Sequence, residues 1–377
     1  MTDWYKIKKV RIRPNGVEKQ VRPKLRTFTI TWTEASDPTL FNPRYSDDAA
    51  WLTAWSTAFD EFFWYYGCRL SDAWVETATV KQSSPWTLDI TQLGTLTSGN
   101  NVMIAFPRRW IKMSKSWSNV TLSITENPNK EWYQYYAHTK WESAKDTLYI
   151  WTYVISWNYV SLSWASPLTN VSKDGYVSNI TTKYWSNTGY SLVKFYPRML
   201  IIAYYMMKYW NPNIRGIIWN WNTYSDNVSY IKATWWTNSS TNASYWDTQG
   251  TQSQMKLFWL EDWVWNVDEF IDWFRWNNEV EYDNNWSYRQ LWNFQEYYTK
   301  SIVWTNDGMF LNAKWSSWWS GSTYYVWYQQ YDGTCPTYRK TWLWYTNLGY
   351  YYWLLSFRWS NSTSYAYKYY GSRLMYL

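Results

Sequence analysis

Tryptophan occurs in this chain at places where a folded protein normally needs glycine. The 377 residues include 37 tryptophans and only 13 glycines, about half the glycine content of an average protein, which is ~7%. Two segments rich in Asn and Ser, residues typical of turns, carry part of the excess: WNWNTYSDN at 219–227 and WSSWWSGSTYY at 315–325. Glycine adopts positive φ freely, whereas a residue with a Cβ atom resists it. These turns are therefore either strained or truly built from glycine.

The length and composition are those of a protein with a sizeable core. A chain of 377 residues with 46% hydrophobic residues forms one large domain or two to three ordinary ones. It contains no run of about 18 apolar residues, so no transmembrane segment is predicted. Residues 1–14 carry charges where a secretory signal has its apolar stretch, which argues against a cleavable signal. Two cysteines, Cys68 and Cys335, are too few for a disulfide framework.

Positive charge is concentrated at the start of the chain. Residues 1–26 hold nine Lys or Arg against Asp3 and Glu18, a surplus that equals the net charge of +7. Because the remainder is close to neutral, no nucleic-acid-binding face is predicted. Val10 and Ile12 alternate with arginines, as in a half-buried strand. This basic arm is either an edge strand protected by charge or a segment that docks onto an acidic surface.

Hydrophobic periodicity predicts several elements along the chain. Phe28, Ile30 and Trp32 alternate with threonine and predict a strand at 27–33. A helix is predicted at 47–66, and it shortens to about 57–63 if Trp51, Trp55 and Trp64 stand for glycine. A hairpin is predicted within 100–125, with its turn at Ser116 to Ser118. Two more helices are predicted, one at 192–210 with Pro197 in its first turn and a short one at 266–274. After 277 the sequence predicts short strands and no long helix.

The segment QMKLFWLEDWVWNVDEFIDWFRW at 254–276 resembles a known family signature. The formylglycine-generating-enzyme-like branch of the C-type lectin fold has the pattern G-L-E-D-x-x-G-N-V-x-E-W-x-D-G. The matching residues are Leu260, Glu261, Asp262, Asn266, Val267, Glu269 and Asp272. Tryptophans stand at the three glycine positions of this pattern: Trp259, Trp265 and Trp273. Residues 195–222 resemble the long helix and glycine-rich loop of the family, again with tryptophan (Trp210, Trp219 and Trp221) in place of glycine.

The end of the chain resembles a more specific group. The segment YYWLLSFRWSNSTSYAYKYYGSRLMYL is similar to the C-terminus of the variable proteins of diversity-generating retroelements, and GSRLMYL is its most specific part. These are display proteins of phages or bacteria whose last segment is diversified at adenine-containing codons. The resemblance, which covers roughly 100–377, implies an α+β fold: a C-type lectin-like domain at 46–377 with a twisted antiparallel sheet and two main helices. A small β-rich attachment module at 1–45 would precede it.

The repeated exchange of glycine for tryptophan suggests an altered genetic code. A tryptophan forced into positive φ costs about 1–3 kcal/mol, so ten or more such residues would exceed the ~5–15 kcal/mol that stabilises a domain. We therefore hypothesise that many of the tryptophans are UGA codons, in an organism that translates UGA as glycine. Trp4, Trp110 and Trp263 look like genuine tryptophans. The alternative is a protein truly rich in tryptophan.

The predicted ligand-binding segment is 314–377, which is dense in Tyr, Ser, Asn and Thr. Diversification of adenine-containing codons yields these residues, and antibody loops use the same set because tyrosine offers a rigid surface while Ser and Asn adapt their hydrogen bonds. The candidate ligand-contacting residues are Tyr324, Tyr325, Tyr328, Tyr338, Tyr345, Tyr350, Tyr351, Ser356, Arg358, Asn361, Ser364 and Tyr367. Some of these are alternatively core tyrosines. The apolar framework behind them is predicted to be Leu354, Leu355, Phe357, Leu374 and Met375.

The resemblance implies binding without catalysis, to a protein or glycan on another cell or surface. The protein would sit on a cell or virion surface, where a homo-oligomer would strengthen weak contacts through avidity. A static lectin-like adhesin is the alternative function, and a copper oxidase of the formylglycine type is a further one. Such an oxidase needs paired thiolates, and only Cys335 lies in the matching region. No cofactor or metal is predicted, since His138 is the only histidine and the carboxylates near 261–272 lack calcium-loop spacing.

Overall fold

The structure, a computed structural model, describes the chain in segments. The described residues are 24–33, 43–71, 75–80, 100–117, 119–140, 143–161, 165–184, 189–209, 234, 256–263, 267–272, 274–276, 280–284, 287–290, 297–304, 311–315, 326–329, 335–338, 357–361, 363–366 and 370–377. For the strands between 274 and 361, this description covers the backbone.

Strands predominate over helices in the described residues. The helices are α1 (Ala58–Phe63), α2 (Lys173–Tyr184) and α3 (Phe195–Tyr209). The strands up to α3 are β1 (Thr27–Thr33), β2 (Arg44–Asp47), β3 (Tyr66–Ser71), β4 (Glu76–Val80), β5 (Asn100–Pro107), β6 (Trp110–Ser116), β7 (Asn119–Thr125), β8 (Thr139–Lys140), β9 (Ser143–Ala144), β10 (Thr147–Trp151) and β11 (Tyr190–Leu192). Those after α3 are β12 (Lys256–Leu257), β13 (Leu260–Glu261), β14 (Asp268–Phe270), β15 (Phe274–Trp276), β16 (Val280–Asn284), β17 (Ser287–Gln290), β18 (Tyr297–Trp304), β19 (Leu311–Trp315), β20 (Val326–Gln329), β21 (Cys335–Tyr338), β22 (Phe357–Asn361), β23 (Tyr370–Gly371) and β24 (Leu374–Tyr376).

Antiparallel pairing dominates these sheets. A six-stranded sheet has the order β11-β24-β10-β5-β3-β4, and a four-stranded sheet has the order β2-β1-β7-β6. A second four-stranded sheet, β22-β21-β14-β23, includes one parallel pair, β14 with β23. The smaller sheets are β15-β16-β17, β19-β18-β20, β12-β13 and β8-β9. The fold is therefore α+β with mostly antiparallel sheets, as predicted.

The six-stranded sheet separates two hydrophobic clusters. Alternate residues of β5 point to opposite faces: Val102, Ile104 and Phe106 belong to the larger cluster, which includes α3. Met103 and Ala105 belong to the smaller cluster, to which α2 contributes Tyr176, Ile180 and Tyr184. The sheet thus has a helix against each face.

Several predicted elements are confirmed. Strand β1 occupies 27–33, the hairpin β6–β7 turns at Trp117, and α3 lies within 192–210. Helix α1 matches the shortened prediction, because Trp64 adopts the left-handed conformation at its C-terminal end. The longer helix at 47–66 is therefore wrong.

Two predictions need correction. Residues 268–270 form strand β14 and not part of a helix at 266–274, because they pair with β21 on one side and β23 on the other. Such non-local pairing overrides local helix preference. The nearby YDGTCPTYR sequence, with its Asp-Gly pair, predicts a loop at Cys335, whereas Cys335 begins strand β21.

The first described strand belongs to the same packed body as the rest of the chain. Strand β1 pairs with β7 along its whole length. Phe28, Ile30 and Trp32 lie in the larger hydrophobic cluster together with residues of α3. The boundary at residue 45 stays a prediction, but β1 shares its core with residues beyond that boundary. Among the described helices, none combines the length and apolar character that crossing a membrane requires.

Candidate ligand-display site and its scaffold

The predicted ligand-contacting residues fall partly within the described structure. Five lie there: Tyr328 in β20, Tyr338 in β21, Arg358 and Asn361 in β22, and Ser364 in the turn at 363–366. Seven lie outside the described residues: Tyr324, Tyr325, Tyr345, Tyr350, Tyr351, Ser356 and Tyr367.

Backbone pairing brings three of the candidate positions onto adjacent strands. In the β21–β22 pair, Tyr338 lies opposite Phe357, Arg358 lies opposite Thr337, and Asn361 lies opposite Cys335. A register shift interrupts the pair near Cys335. Strand β20, which carries Tyr328, lies beside β22. Strands β21 and β22, which carry three of the candidate positions, are therefore neighbours in one sheet, whereas β20 belongs to the separate sheet β19-β18-β20.

Strand β14 connects these candidate strands to the core. The backbone of Glu269 pairs with Tyr338 of β21 on one side and with Gly371 of β23 on the other. Phe270 is buried against Tyr370, with ring centroids 5.4 Å apart. Strand β21 is thus attached directly to a buried neighbour, and β22 is attached through β21.

The side chain of Glu269 forms a buried ionic cluster with two arginines. Its carboxylate accepts hydrogen bonds from Arg198 of α3 and from Nε of Arg373, the latter at 3.3 Å. All three side chains are fully buried. A buried charge is tolerated only when it is paired and hydrogen-bonded. The cluster therefore ties α3, β14 and the C-terminal tail together.

Arg373 also links this cluster to three backbone carbonyl groups. Its guanidinium donates to the carbonyl oxygens of Trp151 at 2.7 Å, Thr152 at 2.5 Å, and Glu261. The Trp263 ring centroid lies 5.7 Å from the Arg373 guanidinium and 4.8 Å from that of Arg198. Cation–π contacts of this kind strengthen when they are shielded from water.

Three further buried charges lie close by. Glu261 and Asp262 follow the β12–β13 turn, and Lys256 opens it opposite Glu261. Burial lowers the pKa of Lys256 to about 8, although the charge of Glu261 acts in the opposite direction. Glu261 lies on β13 and Glu269 lies on β14. Arg198 and Arg373 were not among the predicted site residues. The available signal was a lone arginine within each of two apolar runs, FYPRMLII and GSRLMYL.

The C-terminal tail is a buried part of the scaffold. Leu374 and Met375 are buried in β24, as an apolar framework would require, and their role behind the candidate residues stays a prediction. Glycine is needed at position 371 because its backbone lies close to the Val267 side chain. An added Cβ would lie 2.6 Å from Cγ2 of Val267. Leu354 and Leu355 lie outside the described residues, and Phe357 begins β22.

The turn at 363–366, which belongs to the candidate segment, is partly exposed to solvent. Thr363 donates through Oγ1 to Asp174 at 2.7 Å, and its carbonyl accepts from the Asp174 N–H at 3.1 Å. Asp174 lies in the first turn of α2. Ser364 is exposed, and the Tyr365 ring, 40% exposed, contacts Tyr370 edge-on. Helix α2 therefore positions this exposed turn.

His138 and Cys68 are both enclosed in the packed interior. His138 is fully buried, and its Nε2 lies 3.0 Å from the carbonyl oxygen of Phe106. Burial lowers the His138 pKa to about 3, so its ring is neutral. Cys68 is buried in the smaller hydrophobic cluster, and burial raises the pKa of its thiol. Among the described residues, no group of three His, Cys, Asp or Glu side chains is placed to hold a metal ion.

No protein-family model matches the sequence, and no curated protein is similar to it.

Proposed function

We propose that the protein is a non-catalytic ligand-binding display protein whose C-terminal segment is diversified by a retroelement. Its fold would be the formylglycine-generating-enzyme-like form of the C-type lectin fold. In this proposal, residues 314–377 present a variable face to a protein or glycan on another cell or surface. The display protein would be carried on a cell or virion surface, with a homo-oligomer adding avidity.

The attachment of β21 and β22 to a buried scaffold carries this proposal. A variable binding surface needs a framework that does not change when its contact residues do. Tyr338, Arg358 and Asn361 lie on two paired strands, and β14 joins this pair to the cluster of Glu269, Arg198 and Arg373. Tyrosine-rich surfaces of this kind bind through a few aromatic residues that become buried in the complex.

The genetic locus tests the proposal directly. We expect a reverse-transcriptase gene beside the coding sequence, together with a near-copy of the last coding segment that differs from it at adenines. Absence of both would contradict diversification and leave the static adhesin as the better explanation.

Sequence variation between cells or phages of one population gives a sharper comparison. We expect the codons of Tyr338, Arg358 and Asn361 to vary, because they belong to the proposed contact set. The codons of Leu374 and Met375 serve as the matched control and should be constant, since both side chains are buried. Equal variation in the two sets would argue against a fixed scaffold that carries a variable face.

The oxidase alternative has its own test. Purified protein is supplied with copper and a cysteine-containing peptide, and oxygen consumption is measured. We expect none above the metal-only control, because a copper site of that type needs two thiolates and Cys68 is enclosed in the smaller hydrophobic cluster. Copper-dependent oxygen consumption that requires the peptide would overturn the non-catalytic proposal.

A further inference from the structure

We propose that Trp55, Trp64, Trp117, Trp132 and Trp259 are glycines in the protein that its own organism makes. In the described part of the chain, 11 residues other than glycine have positive φ, and these five tryptophans are among them. Four of the others are Asn or Asp, which tolerate this conformation. Tryptophan has no such tolerance, because its Cβ meets the backbone and its side chain forms no local hydrogen bond to compensate.

Two of these positions are places where glycine has a specific structural role. Trp64 follows α1 with φ 55° and ψ 37°, and its N–H donates to the carbonyl oxygen of Asp60. A left-handed residue that closes a helix in this way is usually glycine. Trp117, with φ 56°, lies in the tight turn between β6 and β7. Hairpin turns of this kind strongly favour glycine.

Trp259 occupies a third position of this type. Leu257 pairs with Leu260, so Phe258 and Trp259 form a two-residue turn between β12 and β13. Both have positive φ, 48° and 65°. A two-residue turn with positive φ at both positions favours glycine at the second one.

Four of these five side chains are at least 45% exposed. Trp259 is instead fully buried against Lys256, so its assignment rests on the backbone of its turn alone. Trp117 is 95% exposed, Trp132 is 77% exposed and Trp64 is 59% exposed. Trp55 is 45% exposed, although its ring contacts Tyr209. A large apolar surface of this kind normally indicates a binding site. If these residues are glycines, they form no part of any ligand-binding surface, and the proposed contact residues remain those of the C-terminal segment.

Other tryptophans show the opposite features. Trp32, Trp151 and Trp263 are buried, and none of them is among the residues with positive φ. Trp263 contacts two arginines of the ionic cluster. Trp110 packs edge-on against Tyr135 and lies under the Arg108 guanidinium at 5.1 Å. These four are therefore expected to be genuine tryptophans.

Peptide masses of the protein purified from its own organism test the proposal. Tryptic peptides 116–130 and 131–140 each contain one tryptophan, Trp117 and Trp132. Each should be lighter than its written mass by the difference between tryptophan and glycine. Peptide 257–275 contains both Trp259 and Trp263, so its fragment ions should show glycine at 259 and tryptophan at 263. Written masses for 116–130 and 131–140 would overturn the proposal.

The codons of the gene and the stability of single variants provide two further tests of the proposal. We expect UGA codons at positions 64, 117 and 132 and UGG codons at positions 32, 151 and 263. UGG codons at 64, 117 and 132 would overturn the proposal. In the chain made as written in a standard host, Trp117→Gly should raise the thermal midpoint by roughly 1–4 °C, and Trp263→Gly should lower it. A lower midpoint for Trp117→Gly would argue that the indole is native there. These outcomes do not depend on the display function.

Discussion

His138 illustrates how burial sets the behaviour of a single residue. It is the only histidine in the chain, and its ring is completely enclosed. Nε2 lies within hydrogen-bonding distance of the Phe106 carbonyl, whereas Nδ1 has no hydrogen-bond partner among the described residues. Protonation would place a second N–H and a positive charge in this enclosure. The neutral ring is therefore favoured by desolvation and, to a smaller extent, by the nearby Arg108 and Arg109.

This residue predicts a pH dependence of stability. Its pKa is about 3 in the folded protein against 6.5 for the ordinary group. Between these values the unfolded chain binds a proton that the folded protein excludes, so the free energy of unfolding falls as the pH falls. We expect it to be about 2 kcal/mol lower at pH 5 than at pH 7, as measured by urea unfolding. In His138→Gln this difference should disappear, and an unchanged pH dependence in that variant would contradict the assignment.

Gly371 predicts a steric effect on stability. Gly371→Ala places a Cβ 2.6 Å from Val267 Cγ2 at the parallel pairing of β14 and β23. Overpacking of this kind costs typically about 1–3 kcal/mol, which urea unfolding would measure. Gly175→Ala is the matched control, since its Cβ meets only the side chains of Val171 and Ser172 at 3.0 Å or more and alanine favours the helix. Equal losses in both variants would show that the close approach is not the cause.

At the level of elements, the ionic cluster explains why β14 occupies its position. Helix α3 brings Arg198, the C-terminal tail brings Arg373, and Glu269 of β14 lies between them. A single charged residue in an apolar helix would be costly to bury, but an arginine that meets a carboxylate and a tryptophan ring is compensated. The cluster does not by itself make the fold more stable than apolar packing would. It specifies which strand lies beside α3 and the tail.

Removal of the central carboxylate tests this role. Glu269→Gln removes the buried carboxylate that Arg198 and Arg373 share, so we expect a loss of about 3–5 kcal/mol in urea unfolding. Asp146→Asn is the control, because Asp146 pairs with Arg108 at 2.9 Å while 55% exposed. Exposed ion pairs contribute about 1 kcal/mol or less. Comparable losses in the two variants would mean that the buried cluster has no special role.

At the level of the whole molecule, the packing of strand β1 bears on whether residues 1–45 can form a module that folds separately from the rest of the chain. Its apolar residues are in contact with the same cluster as α1 and α3, and the Phe28 and Phe62 rings stack 4.0 Å apart. Lys208 of α3 forms a buried ion pair with Asp60 of α1, with Nζ 2.5 Å from Oδ2. These contacts join residues before and after position 45 in one core.

One cooperative unfolding transition is therefore expected for this core. Ile30→Ala removes a fully buried side chain of β1 and should cost about 2–5 kcal/mol. The tryptophan fluorescence and far-ultraviolet circular dichroism transitions should shift together, as expected for a single unit. Thr33→Ala, at the exposed end of β1, should have little effect. An early, separate transition in Ile30→Ala would instead support an independent module at 1–45.

Local sequence patterns were sufficient for the elements that depend on local contacts. The alternation of Phe28, Ile30 and Trp32 predicted β1, and the apolar periodicity of 192–210 predicted α3, because neighbouring residues set the buried face of each element. Helix α2 was not predicted. Of its 12 residues only Tyr176, Ile180 and Tyr184 are buried, so its apolar stripe is narrow.

The tertiary structure alone decided the features that depend on distant residues. Glu269 meets Arg198 and Arg373 at separations of 71 and 104 residues, and β14 is a strand because β21 and β23 flank it. Such partners leave no periodic trace in a local window of sequence. The shortage of glycine was visible in the sequence by itself, whereas the positions that require glycine became evident from the backbone. There, φ shows which tryptophans stand where a Cβ atom is unfavourable.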